Sequence, residues 1–531
     1  MNTNTLIPVL DLAIVGAGVS GLYSGWRWLT SPQGQGSHTA VFELSERVGG
    51  RLLSVTPPGM PEARIELGGM RFTTGQKMVQ ALVAELQLQT EPFAVSEPVN
   101  MAYLRGQLLR TADLAYADRV PYDIPAADHD GFKTGFTALA AERYLRKVLH
   151  KPEVDLKTVD WDAVAKTGRY EGHAVTDLAM RYIYNQSVSH EAFQFAEDTS
   201  GYDSIFYTWS AADGFPWNLD DYGASIEYKR LRDGYECVPT TLCERYLEAG
   251  GALHMAHRLT HFDTVRLADG SEGVALHLAV TSEGKVAHKV VHARRLVLAM
   301  PRRSLELIAQ TGSVLGEHQL EVHKLIRSVT PIPLFKLALC YRHRWWEDMG
   351  ITQGQSVTDL PVRQCYYWPV GDDTTAGAIL IYNDGLDLEY WAGLRDHPDQ
   401  FQNEPHDAGH TLPQDEWAQH PAPALMVHEA HRQLLAIHGL EDSPARRPYA
   451  AAFMDWGDDP YGGGANFWPQ YVDSHDVSKR IVQPAKGKPV YICGEAYSHA
   501  QGWVEGALAT AEDMLQNHLG LQPPAYLGTV K

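Results

Sequence analysis

The beginning of the chain carries apolar runs separated by glycines, in the order that a strand, a turn and a helix require. The run from Asp11 to Val15 is mostly apolar and β-branched, which predicts a buried parallel strand. Apolar residues then recur three, four and seven positions after Val19, along one face of a helix. Thr39 to Phe42 forms a second apolar run. The pattern predicts a strand–helix–strand unit of the α/β class.

The same kind of pattern predicts elements in the rest of the chain. Further buried strands are predicted at 295–301 and 490–495. Helices are predicted at 75–88, 136–148, 175–184 and 504–515.

The glycines of the first unit form a G-x-G-x-x-G turn. Gly16 permits the tight turn, Gly18 lets backbone N–H groups approach a pyrophosphate, and Gly21 lets the helix pack closely on the strand. The helix N-terminus adds free N–H donors and a positive dipole end. Glu43 follows Gly21 by 22 residues, where a carboxylate accepts hydrogen bonds from ribose hydroxyls. The unit is typical of dinucleotide binding, and at this point both NAD and FAD fit it.

Composition narrows the range of partners. The chain has 531 residues, with 45 basic and 65 acidic side chains, so its formal net charge is −20. Such a surface repels phosphate groups, and we expect neither a nucleic-acid partner nor a membrane. The five cysteines are scattered without a C-x-x-C pair and no secretory signal is evident, so we expect a cytoplasmic protein with reduced thiols. With 24 histidines, ligand-like pairs arise by chance, and no metal site is predicted.

Two segments after Glu43 decide between the dinucleotides. They read Ser45-Glu-Arg47-Val-Gly49-Gly50-Arg51 and Glu66-Leu-Gly68-Gly69-Met70-Arg71. With these segments the chain resembles the flavin-dependent amine oxidase superfamily, and most of all the L-amino-acid oxidases. The resemblance implies FAD as the cofactor, with Arg51, Gly69 and Met70 beside it. It also implies that Arg71 borders the cofactor and binds the α-carboxylate of the substrate.

The C-terminal segment strengthens this resemblance. A strand ends in Gly494-Glu495, and Gly502-Trp503 precedes a helical run. The family's closing flavin motif looks similar, which implies that Glu495 holds the ribityl chain and that Gly502 and Trp503 begin a helix directed at the isoalloxazine. A helix N-terminus carries roughly half a positive charge and would stabilise an anionic reduced flavin.

Two segments in the middle of the chain also resemble the family. Pro331 to Lys336 is similar to a strand whose lysine holds a water beside flavin N5. Tyr366-Tyr367 is similar to the strand whose tyrosine also binds the substrate carboxylate. We favour Tyr367 for this role, with Tyr366 as the alternative.

The segment from Trp217 to Asp221 is expected to line the substrate funnel. An acid there, Asp220 first of all, would pair with a lysine or arginine substrate, while the alternative is a solvated acid. Trp217 would contact the substrate side chain or belong to the core. Some family members carry a histidine here, and this chain has none, so no side-chain base is predicted.

The resemblance implies an architecture of three domains. They are a Rossmann-like, discontinuous FAD-binding domain, a mixed α+β substrate domain and a helical domain. Their expected boundaries are 9–72, 233–325 and 446–525 for the first, 73–125 and 326–445 for the second, and 126–232 for the third.

The expected function is oxidative deamination of L-amino acids by O2 and water, with a broad or basic side-chain preference. The products are a 2-oxo acid, ammonia and hydrogen peroxide. The alternatives are an amide-forming amino-acid monooxygenase, an amine oxidase without a carboxylate-binding arginine, and, more remotely, a non-catalytic flavoprotein that acts through a partner. The resemblance also suggests a homo-oligomer, a dimer or larger.

Overall fold

A computed structural model describes residues 9–222, 226–371, 374–405 and 416–528. Strands and helices alternate along much of this chain, which is an α/β fold with additional antiparallel sheets. In chain order, the strands are β1 Leu12–Val15, β2 Thr39–Phe42, β3 Ser54–Val55, β4 Ile65–Glu66, β5 Phe72–Thr73, β6 Thr90–Pro92, β7 Met101–Leu104, β8 Gln107–Arg110, β9 Arg169–Tyr170, β10 His173–Ala174, β11 Tyr228–Leu231, β12 Ala252–His254, β13 His257–Arg266, β14 Glu272–Ser282, β15 Lys285–Ala293, β16 Leu296–Ala299, β17 Thr330–Ile332, β18 Leu334–Tyr341, β19 Gln355–Thr358, β20 Gln364–Trp368, β21 Gly377–Asp384, β22 Ala450–Asp455, β23 Ala465–Phe467 and β24 Val490–Cys493.

The α-helices are α1 Val19–Leu29, α2 Lys77–Glu85, α3 Gly131–Thr134, α4 Phe136–Leu149, α5 Trp161–Thr167, α6 Met180–Ser187, α7 His190–Ser200, α8 Ser204–Tyr207, α9 Ala211–Tyr222, α10 Cys237–Glu248, α11 Arg302–Glu306, α12 Gly312–Leu315, α13 Leu320–Ile326, α14 Leu388–Arg395, α15 Ala424–Ile437, α16 Ser474–Ile481 and α17 Val504–Asn517. Among the described residues, none of these helices is both long and apolar enough to cross a bilayer.

A five-stranded parallel sheet, in the order β12-β2-β1-β16-β24, forms the first layer. Four of these strands, β2, β1, β16 and β24, are buried along their whole length, because helices α1, α10 and α17 and the antiparallel sheet β13–β15 cover them. The four strands predicted from apolar runs are confirmed, and their observed ends lie within two residues of the predicted ones. The sheet joins three distant parts of the chain, and the domain boundaries themselves stay a prediction.

A seven-stranded sheet, in the order β22-β18-β21-β20-β19-β7-β8, forms the second large layer. Its strands pair antiparallel except β19 with β7. In β18 and β21, Lys336 lies opposite Tyr382, and Leu334 lies opposite Asp384. Residues directly opposite each other point to the same face, so these four side chains share one side of the sheet.

The helices mostly follow the predicted pattern. Those predicted at 75–88, 136–148 and 504–515 are α2, α4 and α17. The helix predicted at 175–184 is wrong in its first half, where a short 3-10 turn precedes α6. There the backbone of Ala179 pairs with Ser210, and the Met180 N–H donates to the Trp209 carbonyl at 2.9 Å. This pairing holds the chain extended until α6 begins.

Candidate active site

A cavity of about 540 Å³ lies where the carboxyl ends of the parallel strands face the seven-stranded sheet. It brings together most residues that the sequence analysis singled out. The predicted residues that line it are Gly16, Gly18, Glu43, Arg51, Gly69, Met70, Arg71, Trp217, Lys336, Glu495, Gly502 and Trp503. Gly21, Tyr367 and Asp220 do not line it.

The three glycines of the first turn have different surroundings. A Cβ at Gly21 would lie 1.9 Å from the Gly16 carbonyl oxygen, and a Cβ at Gly16 would lie 2.4 Å from the Ala299 carbonyl oxygen. Gly16 also has a φ of +108°, which other residues rarely adopt. A Cβ at Gly18 would meet no protein atom within 4 Å. Space for another group is therefore left over Gly18, as a bound pyrophosphate requires.

Glu43 is fixed at the end of β2 beside this turn. Its carboxylate accepts hydrogen bonds from the backbone N–H of Ala17 at 2.7 Å and of Ser45 at 2.9 Å. The half-buried carboxylate still borders the cavity, where it has lone pairs left to accept from hydroxyl groups.

Glu495 also lines the cavity and holds several of its segments together. One carboxylate oxygen forms a 2.6 Å ion pair with Arg51 and accepts from the Asn466 amide at 2.9 Å. The other accepts from the Gly502 backbone N–H at 2.9 Å. The Glu495 carboxylate therefore links Arg51, which follows the Gly49-Gly50 pair, to the loop before α17. Trp503 is the N-cap residue of α17, so the helix N-terminus opens into the cavity.

Arg71 is buried, with 3% of its surface exposed, and reaches the cavity. Its guanidinium donates to the hydroxyl groups of Tyr366 at 3.2 Å and Tyr202 at 3.5 Å. The guanidinium carbon lies 4.5 Å from the ring centroid of Tyr228 and 5.6 Å from that of Phe93. Aromatic rings thus orient a buried cation at the edge of the cavity.

The structure corrects the preference for Tyr367. The Tyr366 hydroxyl lies on the Arg71 side and is 2.9 Å from the Tyr202 hydroxyl. The Tyr367 hydroxyl is on the other face of β20, where it contacts Ser356 at 2.6 Å and His438 at 2.5 Å. Successive residues of a strand point to opposite faces, so only one of the two can approach Arg71.

Lys336 extends from β18 into the cavity, and its Nζ donates to the Gly68 carbonyl. Nζ also lies 4.9 Å from the ring centroid of Tyr382. Burial lowers the pKa of Lys336 below the usual lysine range, while the nearby Glu66 carboxylate opposes this change and Arg71 adds to it. Glu66 is buried as well, and burial raises its pKa.

The expected role of Asp220 is also corrected. Asp220 is exposed and does not line the cavity, whereas its neighbour Asp221 accepts a 2.7 Å hydrogen bond from the Trp503 indole N–H. Adjacent helix residues point about 100° apart, so α9 can direct only one of the two inward. Burial raises the pKa of Asp221 to about 7. Trp217 lines the cavity and lies 6.5 Å from Trp503, ring centroid to ring centroid.

Three cavity or near-cavity residues were missed from the sequence: Tyr202, Tyr382 and Asp384. Tyr202 follows the end of α7, and Tyr382 and Asp384 alternate along β21. An apolar run that ends in Tyr-Asn-Asp was visible in the sequence, but its pairing with β18 was not.

Comparison with known proteins places these features in a family. A family model described as flavin containing amine oxidoreductase matches residues 20–514. Aplysianin-A of Aplysia kurodai is 25% identical over 96% of this chain and 90% of its own length. The L-amino-acid oxidase of Gloydius halys is 22% identical over 94% of this chain and 86% of its own length.

Solved structures show the same fold. Putrescine oxidase bound to putrescine superimposes with a TM-score of 0.66 at 17% identity, over 96% of this chain and 99% of that one. The free space over Gly18, the Glu43 carboxylate and the N-terminus of α17 fit the phosphate, ribose and ring parts of a flavin dinucleotide. The chain therefore belongs to the family of flavin containing amine oxidoreductases, and its cofactor is FAD.

Proposed function

We propose that the protein oxidises L-amino acids at the α-carbon, with O2 as the electron acceptor, to 2-oxo acids, ammonia and hydrogen peroxide. The observation that carries the proposal is the buried guanidinium of Arg71 at the cavity. A carboxylate is the substrate group that such a cation binds best, because two parallel N–H···O bonds match its planar shape. The similarity to L-amino-acid oxidases supports the same chemistry.

In this mechanism Arg71 fixes the acid end of the substrate. The hydroxyl groups of Tyr366 and Tyr202, which are 2.9 Å apart, hold the guanidinium in place and offer a further hydrogen-bond donor to the carboxylate. Fixing one end of the substrate sets the direction of its α-hydrogen, which lowers the entropy cost of the reaction.

Bound FAD would supply the acceptor for the equivalent of a hydride from the substrate α-carbon. The N-terminus of α17, beside Trp503, stabilises negative charge on that side of the cavity. Lys336 supplies a buried cation that favours the negative charge developing on oxygen as O2 is reduced. The substrate has to release one proton from its α-ammonium, and with no histidine between Trp217 and Asp221 this proton passes to water. We therefore expect a pH optimum on the alkaline side.

The direct test is a hydrogen peroxide assay of the purified flavoprotein with the twenty L-amino acids, with D-isomers as controls. Arg71→Met should lower kcat/KM by about 10³-fold, since a buried charge pair contributes about 4 kcal/mol. Arg71→Met should keep the absorbance of bound flavin. Arg232→Met removes an exposed arginine that pairs with Glu91 outside the cavity, and it should leave kcat/KM unchanged. An unchanged rate in Arg71→Met would contradict the proposal.

Product analysis separates this proposal from its alternatives. A monooxygenase would release an amide and CO2 in place of peroxide and 2-oxo acid. An amine oxidase would oxidise alkylamines as fast as the matching amino acids, and Arg71→Met would not slow it.

A further inference from the structure

One carboxylate of the cavity has no place in the chemistry at the α-carbon. Asp384 lies at the end of β21, is 3% exposed and lines the cavity with Ser204 and Tyr382. We propose that Asp384 is a specificity-determining residue that accepts hydrogen bonds from the distal cation of lysine-like or arginine-like substrates. This inference rests on the proposed function, because it presumes that Arg71 holds the α-carboxylate.

The position of Asp384 follows from strand register. Tyr382 and Asp384 are two residues apart on β21, so they point to the same face, opposite Lys336 and Leu334 of β18. Two residues span about 7 Å along a strand. Asp384 is thus set along the strand from Tyr382, whose ring centroid lies 4.9 Å from the Lys336 Nζ.

Two aromatic rings connect Asp384 with Arg71. The Tyr202 hydroxyl contacts Arg71, and its ring lies edge-on to Tyr382 with centroids 5.1 Å apart. Tyr382 in turn shares its side of the sheet with Asp384. The cavity thus offers a cation at one end, apolar ring surface between, and a carboxylate at the other, which matches the order of groups in a basic amino acid.

The arginine that acts on Asp384 is shared among several carboxylates. Arg363 is the buried arginine of this region, and it pairs with Asp203 at 3.0 Å, Asp198 at 3.7 Å and Asp387 at 3.8 Å. One guanidinium therefore faces several carboxylates. Burial raises the pKa of Asp384, and burial raises that of Asp203 to about 7, with the Asp384 carboxylate adding to the shift of Asp203. A bound substrate cation would offset part of the free-energy cost of burying these carboxylates.

Asp384 also has a structural role, which does not account for its placement at the cavity. It accepts hydrogen bonds from the Ser204 hydroxyl and from the backbone N–H groups of Asp203 at 3.1 Å and Ser204 at 3.4 Å. A carboxylate has about four acceptor positions, so these contacts leave one for a ligand. They also hold the carboxylate still, which reduces the entropy cost of binding.

The first experiment compares substrates on Asp384→Asn. The measured quantity is the ratio of kcat/KM for L-lysine to kcat/KM for L-leucine, with Asp387→Asn as the matched control. Asp387 also neighbours Arg363 but does not line the cavity. We expect Asp384→Asn to lower the ratio by about 30-fold or more, since loss of one partner of a buried charge pair costs about 2 kcal/mol or more. Asp387→Asn should leave the ratio unchanged. An unaltered ratio in Asp384→Asn overturns the inference.

A second experiment uses the wild-type flavoprotein, so it does not depend on a variant that folds. Competitive inhibition by 6-aminohexanoate, which has no α-amine, is compared with inhibition by hexanoate. Tighter binding of 6-aminohexanoate supports the inference, and equal or weaker binding overturns it. If no amino acid at all is oxidised, the proposed function fails, whereas equal use of lysine and leucine by the wild type overturns only the inference about Asp384.

Discussion

The two ends of the cavity are built in different ways. At the phosphate end (Gly16, Gly18, Gly21 and Glu43), the conformation of the backbone shapes the binding surface. All four residues lie within one strand–helix–strand unit. At the substrate end (Arg71, Tyr366, Lys336 and Asp384), side chains from distant parts of the sequence meet.

This difference determines which substitutions each end of the cavity tolerates. The phosphate end binds groups common to every flavin dinucleotide, and at Gly16 and Gly21 its turn has no room for a larger residue. The substrate end consists of side chains on a rigid sheet, so single substitutions can change selectivity while the backbone stays in place. Substitutions at the phosphate end should therefore affect folding and cofactor binding, and substitutions at the substrate end should affect rate and selectivity.

The largest effect is expected at the phosphate end, from Gly21→Val. Its Cβ would overlap the Gly16 carbonyl oxygen at 1.9 Å, so the turn must open, at a cost of about 3 kcal/mol or more. We expect loss of bound flavin and a lower Tm. Gly18→Ala is the matched variant, because its Cβ meets no protein atom within 4 Å. It should fold normally without FAD and bind FAD more weakly. Calorimetry of both proteins with and without added FAD tests this, and equal Tm values for the two apoproteins would refute it.

At the substrate end, the next largest effect is expected from Lys336→Met. Removing the buried cation should slow the reaction of the reduced enzyme with O2 by about 10²-fold, as loss of an electrostatic stabiliser does in other enzymes. Because burial lowers the pKa of Lys336, the wild-type O2 reaction should also slow as the pH rises and the ammonium loses its proton. Stopped-flow mixing of the reduced protein with O2 at several pH values measures both effects. A rate in Lys336→Met equal to that of the wild type would exclude this role.

A smaller effect separates the two adjacent tyrosines. Tyr366→Phe removes a hydrogen bond to the Arg71 guanidinium and should lower kcat/KM by about tenfold, without loss of flavin. Tyr367→Phe removes contacts with Ser356 and His438 in the core. It should lower the free energy of unfolding by about 1–3 kcal/mol and leave kcat/KM unchanged. Steady-state kinetics and urea unfolding of both variants test this prediction. A loss of kcat/KM in Tyr367→Phe but not in Tyr366→Phe would favour Tyr367 as the residue that binds the carboxylate.

A prediction about stability, with no change of rate, concerns Asp221 and its pH dependence. Burial raises its pKa to about 7, so the folded protein keeps this proton at pH values where the unfolded chain has lost it. Its contribution to stability is complete below the usual aspartate range and disappears as the pH rises through about 7, by at most about 1.4 kcal/mol per pH unit. Asp221→Asn should remove this dependence. Urea unfolding from pH 4 to pH 8 measures it, and parallel pH profiles for the two proteins would argue against it.

The glycine turn, the paired-glycine segments and the closing Gly-Trp were recognisable because each depends on neighbouring residues. Gly16 and Gly21 are required by contacts within the turn and with the adjoining strand. Such local requirements leave a fixed spacing in the sequence.

The antiparallel sheet of β13, β14 and β15 was not predicted, since its strands, which extend over 257–293, lack the continuous apolar run of a buried parallel strand.

Reading the residues in order was enough to recognise a dinucleotide-binding α/β unit and the motifs of a flavin oxidoreductase. Which of two neighbouring side chains contacts a cavity residue followed from tertiary packing: Tyr366 rather than Tyr367 contacts Arg71, and Asp221 rather than Asp220 contacts Trp503. The spacing of side chains along a strand or helix is a local property, but the face that turns inward is set by the element packed against it. Pairing of β18 with β21 likewise brought Lys336 and Asp384 to one side of the sheet, and no residue near either one in sequence encodes that register.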